Sequence, residues 1–211
     1  MATTRTTMSG FLLARGVEAP DLAGIHECYD MNLRDGIHAL TANVSAERIV
    51  PLAQLFCSGL AEPCFLVVEA PANEADERRL RPDGTSPFHC DIYYCDGLSR
   101  SALSQLVEKY GEFLANDGMA CFGLASHASD DELYVGRYKT VQMFSADGQR
   151  CKGVMAQMGI PQEEKIRTVR DNFSEAAPGS ACAISVGGKD IHAVLEELKE
   201  HGLYFAKRQA Q

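Results

Sequence analysis

The run SPFHCDIYYCDG, residues 86 to 97, brings His89, Cys90, Asp91 and Cys95 close together in the chain. Three chemistries use these residue types. A histidine beside a carboxylate can move a proton. A thiol near a base or a helix N-terminus can act as a nucleophile. Thiol, imidazole and carboxylate together can hold zinc.

Geometry separates the three. Ile92 and the Tyr93–Tyr94 pair favour an extended segment, and alternate side chains of a strand face opposite sides. Phe88, Cys90, Ile92 and Tyr94 then share an apolar face, expected to be the core side. His89, Asp91, Tyr93 and Cys95 share a polar face, expected to be open. Cys90 and Cys95 point apart, and His89 lies about 20 Å from Cys95 at roughly 3.3 Å per residue. Zinc ligands must lie within about 2.0–2.3 Å of one point, so this run cannot chelate unaided. His26 or His127 would have to arrive from elsewhere. His26-Glu27-Cys28 is itself a short cluster without a second half. No metal and no cofactor is expected.

Cys95 is the thiol candidate, because a helix starts just after it at Ser99 and the positive end of that helix would favour a thiolate. His89 and Asp91 are the acid–base candidates. With Tyr93, the same pair are the binding candidates on the open face. The run ERRLRP, residues 77 to 82, adds Arg78, Arg79 and Arg81 as exposed contacts. SVGGKD, residues 185 to 190, lacks the glycine spacing and the Ser or Thr of a phosphate loop and reads as a tight turn. The G-x-G-x-x-G, G-x-S-x-G and H-E-x-x-H signatures do not occur. Tyr93, Tyr94, Tyr134 and Tyr138 would cluster if their strands were neighbours, and tyrosines are common interface anchors.

The elements that must position these groups can be placed from capping and periodicity. Ser45 opens a helix with Ile49, Leu52, Ala53, Phe56 and Leu60 on one side. Pro51 either kinks it or marks its start. Residues 63 to 70 read as a strand, and the polar residues 71 to 87 as a long loop. Ser99 opens a second helix, striped by Leu103, Leu106, Val107, Tyr110, Phe113 and Leu114 and stopped at Gly118. Strands are expected over 119 to 126 and, with a bulge at Gly136, over 131 to 145. Both regions read helix, strand, strand, with Cys64-Phe65 matching Cys121-Phe122, so tandem αββ units are expected at about 44–97 and 98–148. The last third, 149 to 211, reads as more helical. Helices are expected at 150–159, 161–173 and, capped by Asp190, 190–202, with a small strand at 181–186. Residues 10 to 17 read as a short strand and 21 to 42 as helix or irregular structure. The fold class is α+β: antiparallel sheet with helices packed on one face, one domain over 10–211, after a disordered stretch at 1–9.

Totals limit the function. A chain of 211 residues can bury a full core without metal or disulfide. The net charge of −9 argues against nucleic acid and anionic membranes and suits a basic protein partner. Tryptophan is absent. The eight cysteines form no C-x-x-C and no secretory signal is evident, so they are expected to be reduced, buried thiols of a cytoplasmic protein. The expected function is a non-catalytic cytoplasmic binding protein, of inhibitor or immunity type, for a protein partner. The alternatives are a small hydrolase or transferase using His89 with Asp91, or Cys95, and a structural subunit of a homo-oligomer.

Overall fold

In the computed structural model, residues 10–210 are described. The disorder expected over 1–9 falls outside them. In chain order the elements are β1 (Val17–Glu18), β2 (Cys28–Arg34), β3 (Ile37–Asn43), α1 (Ala46–Ser58), β4 (Cys64–Pro71), α2 (Glu74–Leu80), β5 (His89–Leu98), α3 (Arg100–Asn116), β6 (Cys121–Ser126), β7 (Glu132–Val135), β8 (Val141–Ser145), α4 (Gly148–Gln157), β9 (Ser180–Ala181), α5 (Ile191–Lys199) and β10 (Tyr204–Ala210). Eight strands form one sheet in the order β10-β5-β4-β6-β7-β8-β3-β2, and β1 pairs with β9. Every pairing between named strands is antiparallel. The protein is α+β, as its sequence leads one to expect.

The core explains the sidedness. Ile49, Leu52 and Phe56 of α1, Leu103 and Leu106 of α3, Cys151 and Met155 of α4 and Ile191, Leu195 and Leu198 of α5 join one buried cluster. Sheet residues Leu40, Leu66, Val68, Phe122, Leu124, Leu133, Val135 and Met143 complete it. Each helix carries one apolar stripe and can bury only one face. All four long helices therefore lie on the same side of the sheet, and among the described residues the opposite side carries no helix.

Four helices open on a side-chain cap, α2 among them. The side chains of Ser99 and Asp190 accept the Ala102 and Ala193 amides at 3.1 and 2.9 Å, and Asp147 caps α4. Ser45 precedes α1 but makes no cap; its hydroxyl accepts from Leu12 N–H at 3.3 Å. Pro51 sits inside α1, on its exposed side, where water can reach the carbonyl left without a donor. Gly118 has a role beyond ending α3. Gly16 donates to Asn116 O, Gly118 to Cys182 O and Cys182 to Gly16 O, all within 2.8–3.0 Å. A Cβ on Gly118 would stand 1.8 Å from the Gly16 carbonyl oxygen, so only glycine lets the three backbones meet.

Several expectations are corrected. Residues 28–43 are a β-hairpin, neither helix nor irregular. Its turn is Asp35-Gly36, with φ of 51° and 81°, the two positive values of a type I′ turn. The strand expected at 10–17 survives only as β1, and that at 181–186 only as β9. The long loop holds α2, started by Asn73, whose side chain accepts from Asp76 N–H. The strand expected at 131–145 is two strands, because the chain turns back at residues 136–140. Residues 161–173 are not an α-helix. They run extended beside β2 and end in a 3-10 turn, Val169–Asn172. The C-terminal third is thus less helical than its sequence suggests, and it ends in an edge strand.

The units α1-β4-β5 and α3-β6-β7 keep the expected order, with α2 inserted in the first and β8 added to the second. Their matching dipeptides are not structural equivalents. Cys64 and Phe122 belong to the core, whereas Phe65 and Cys121 face the other way. All eight cysteines are free; seven are buried and Cys182 is exposed. Among the described residues no helix is long and apolar enough to cross a membrane.

Candidate functional site

β5 is extended and its side chains alternate, but the two sides are the reverse of those expected. Cys95 is in the helix-side core, Tyr93 packs against that core, and Asp91 on the same side is 3% exposed. Phe88 is 61% exposed, and Cys90, Ile92 and Tyr94 lie on the helix-free side. A half-buried arginine partner reverses the faces. Arg208 of β10, directly opposite Asp91, donates Nη2–H to Asp91 Oδ2 at 2.7 Å and Nε–H to Oδ1. The same Nη2 reaches Asp76 Oδ2 of α2 at 2.7 Å. Two-pronged pairing of this kind makes a buried carboxylate tolerable.

Most of the remaining sequence candidates lie around this network. His89 N–H donates to Glu77 Oε1 at 2.7 Å, and His89 Nδ1 lies 3.2 Å from that oxygen. Tyr93 hydroxyl donates to Asp91 Oδ2 at 3.5 Å. Arg79 pairs with Asp76 at 2.9 Å and Arg78 with Glu74, both exposed arginines on α2. Arg81 covers the Phe88 ring at 3.7 Å and donates to Gly84 O at 2.9 Å. Arg208 holds Asp76 near a pKa of about 2, chiefly through its hydrogen bond. Asp76, Glu77 and Arg208 tie His89, Asp91 and Tyr93 to α2 and β10 and so fix both elements onto β5. Arg78 stands apart in its own pair with Glu74 and, like Arg79, keeps most of its side chain exposed. His89 and Asp91 do not bond to each other; each has its own opposite partner.

Cys95 is 1% exposed and donates to His201 O at 3.1 Å. Burial pushes its thiol up, with Asp96 adding to the effect. The positive end of α3 does not offset burial and the Asp96 charge, so the thiol is held in the protonated, unreactive form.

The helix-free face holds groups that the linear pattern does not single out. Tyr204, Tyr94, Val67, Gly123, Tyr134 and Gln142 lie opposite one another across six strands. The Tyr134 ring lies against Gly123, where a Cβ would meet it at 3.2 Å. Along the neighbouring row run Phe65, Ala125, Glu132 and Phe144. Phe65 stacks on Tyr94 at 5.8 Å and on His127 at 4.6 Å. Asp96 accepts from His127 Nε2 at 2.9 Å and from the Tyr204 hydroxyl, which ties the end of the patch together. The tyrosines expected to cluster are split. Tyr93 faces the helices, Tyr94 and Tyr134 share the open row, and Tyr138 at the β7–β8 turn packs on Phe173 at 4.8 Å.

Glu132 is the unusual group on this face. It is half-buried, and among the described residues no cation or hydrogen-bond donor pairs with its carboxylate. Desolvation alone pushes its pKa up. Alternation in Glu132-Leu133-Tyr134-Val135 could have found it, since Leu133 and Val135 must face inward. Of metal-ligating groups, one cluster stands out among the described residues: His26, Cys28 and Glu163, whose ligand atoms lie within 4.8 Å of one another. Comparison with known protein families, curated proteins and solved structures finds no match to the chain.

Proposed function

We propose that this is a non-catalytic binding protein that receives a basic protein partner on the helix-free face of its sheet. The unpaired carboxylate of Glu132, directly opposite Phe144 and two residues before Tyr134 on the same face, carries this reading. A half-buried carboxylate without a cation is held at an energetic cost. An arginine or lysine brought by a partner would relieve that cost, and the rings beside it would take the cation's flat face. Tyrosine and phenylalanine add contact area at little cost in side-chain entropy. The net charge of −9 steers a basic partner toward the protein. An inhibitor or immunity-type protein that masks a basic target fits this description.

The catalytic alternative has weaker support, since His89, Asp91 and Cys95 are each engaged in bonds that hold the fold. The proposed contact region moves from the α2 arginines to the sheet face because Arg78 and Arg79 already pair with Glu74 and Asp76, whereas Glu132 has no cation among the described residues.

The test is affinity capture from native lysate with quantitative mass spectrometry. Wild type is compared with Glu132→Lys, Tyr94→Ser and, on α2, Arg78→Glu. The expected result is a basic protein retained by wild type and Arg78→Glu and lost from both sheet-face variants. Loss only from Arg78→Glu, or the same retained set for all four proteins, would refute the proposal.

A further inference from the structure

The cluster at the far edge of the sheet is independent of the aromatic face. His26 lies two residues before Cys28, the first residue of β2, and the ligand atoms of the two come within 4.8 Å of each other. Glu163 reaches them from a remote part of the chain. Tyr29 N–H donates to Pro161 O at 3.0 Å and Glu163 N–H to Tyr29 O at 2.8 Å. That short parallel ladder fixes Glu163 beside Cys28. Two further bonds anchor the segment, Ile166 N–H to Asp30 Oδ2 at 3.1 Å and Asn43 Nδ2 to Arg167 O at 2.8 Å. The ligand atoms are thus carried by backbone that is tied down on both sides.

We propose that His26, Cys28 and Glu163 form a binding site for a divalent d-block cation of the zinc type, with a fourth coordination position facing solvent. The donor set is imidazole, thiolate and carboxylate, the mixture borderline-soft ions prefer to magnesium or calcium. On binding, the Cys28 thiol and the His26–Glu163 pair release their protons to solvent, and the thiolate and carboxylate then supply two negative charges that a divalent ion neutralises. His26 Nε2 and Glu163 Oε1 now share a proton at 2.6 Å. Tetrahedral zinc sets its ligand atoms roughly 3.5 Å apart. With all three atoms already within 4.8 Å, shifts of about 1 Å at side-chain tips suffice. The His26 and Glu163 side chains are 43% and 40% exposed, which leaves an approach for the ion and for a water or partner ligand in the fourth position. An ion here would clip residues 161–167 to the edge of the sheet.

The test uses the full chain with Cys182→Ser, which removes the exposed thiol as a competing ligand. Cobalt(II) is titrated and its thiolate charge-transfer band tracked; zinc affinity is then read by competition with a chromophoric chelator. The expected result is one ion per chain, a cobalt band lost in Cys28→Ser, and zinc affinity lowered at least tenfold in His26→Ala and Glu163→Gln but unchanged in Glu164→Gln. Glu163→Gln alters a part-exposed carboxyl, so its affinity stays readable even where Cys28→Ser fails to fold. No stoichiometric binding, a band that survives in Cys28→Ser, or equal loss in Glu163→Gln and Glu164→Gln would overturn the proposal and leave an ordinary His–Glu ion pair.

Discussion

Replacing Arg208 by methionine tests how the last strand is held, and with it the row that Tyr204 begins. The Asp91 side chain is 5% exposed and the Arg208 side chain 20%. Removing the guanidinium leaves a buried carboxylate with one weak partner, the Tyr93 hydroxyl at 3.5 Å. Breaking such a pair from one side costs about 3–5 kcal/mol. β10 is a free edge at the end of the described chain, so it can peel away and let water reach Asp91. Peeling caps the loss at the lower end of that range, about 3 kcal/mol. Asp91→Leu with Arg208→Met removes both charges, and the double variant should return to within about 1 kcal/mol of wild type. Urea unfolding gives the stabilities, and amide exchange at Phe205 and Lys207 reports peeling directly. An Arg208→Met loss below about 1 kcal/mol would refute the reasoning. A double variant as unstable as the single one would do the same.

Two further outcomes concern buried groups. Lys139 is 5% exposed and donates Nζ–H to Leu114 O and Ala120 O at 2.8 and 2.6 Å. Burial lowers its pKa from 10.5 to about 8. Between those values the unfolded chain binds a proton that the native state has released, so this group makes stability rise with pH, by up to about 1.4 kcal/mol per pH unit. Buried thiols with raised pKa act in the opposite sense, so the measurement is the difference between wild type and Lys139→Met in urea unfolding across that window; equal slopes would contradict the assignment. In thiol labelling of the folded protein at neutral pH, Cys182 should react first and Cys95 should stay protected. Fast, selective modification of Cys95 would restore the nucleophile reading.

The helices are legible because their signals are local. Ser99, Asp147 and Asp190 each cap the helix that begins beside them, and the apolar stripes of α1, α3 and α5 repeat at helical spacing. The β2–β3 hairpin is written in Asp35-Gly36. Its strands carry Asp30, Asn32 and Thr41 on the face without helices, and this polarity masks it. Residues 161–173 carry a helical pattern in Ile166, Val169 and Phe173. Pairing of the Pro161 carbonyl and the Glu163 N–H with Tyr29 of β2 takes a donor and an acceptor a helix would use.

The polar run in β5 shows where local pattern stops. Alternation fixes which residues share a side, and it does so correctly for Asp91, Tyr93 and Cys95. It does not say which side is core when both are partly apolar. That choice is made by Arg208, 117 positions along the chain, which makes burial of Asp91 tolerable. The same holds at the other edge, where Glu163 completes a cluster with a histidine 137 positions earlier. In both places two distant stretches of sequence become neighbours only through the sheet. A polar side chain therefore reads as exposed for want of its partner, and a ligand set reads as half-formed for want of its third member. Glu132 is the converse case. Its strand partners are foreseeable, and what marks it is a missing cation that no local pattern records, so a partner's arginine or lysine is the natural place to look for one.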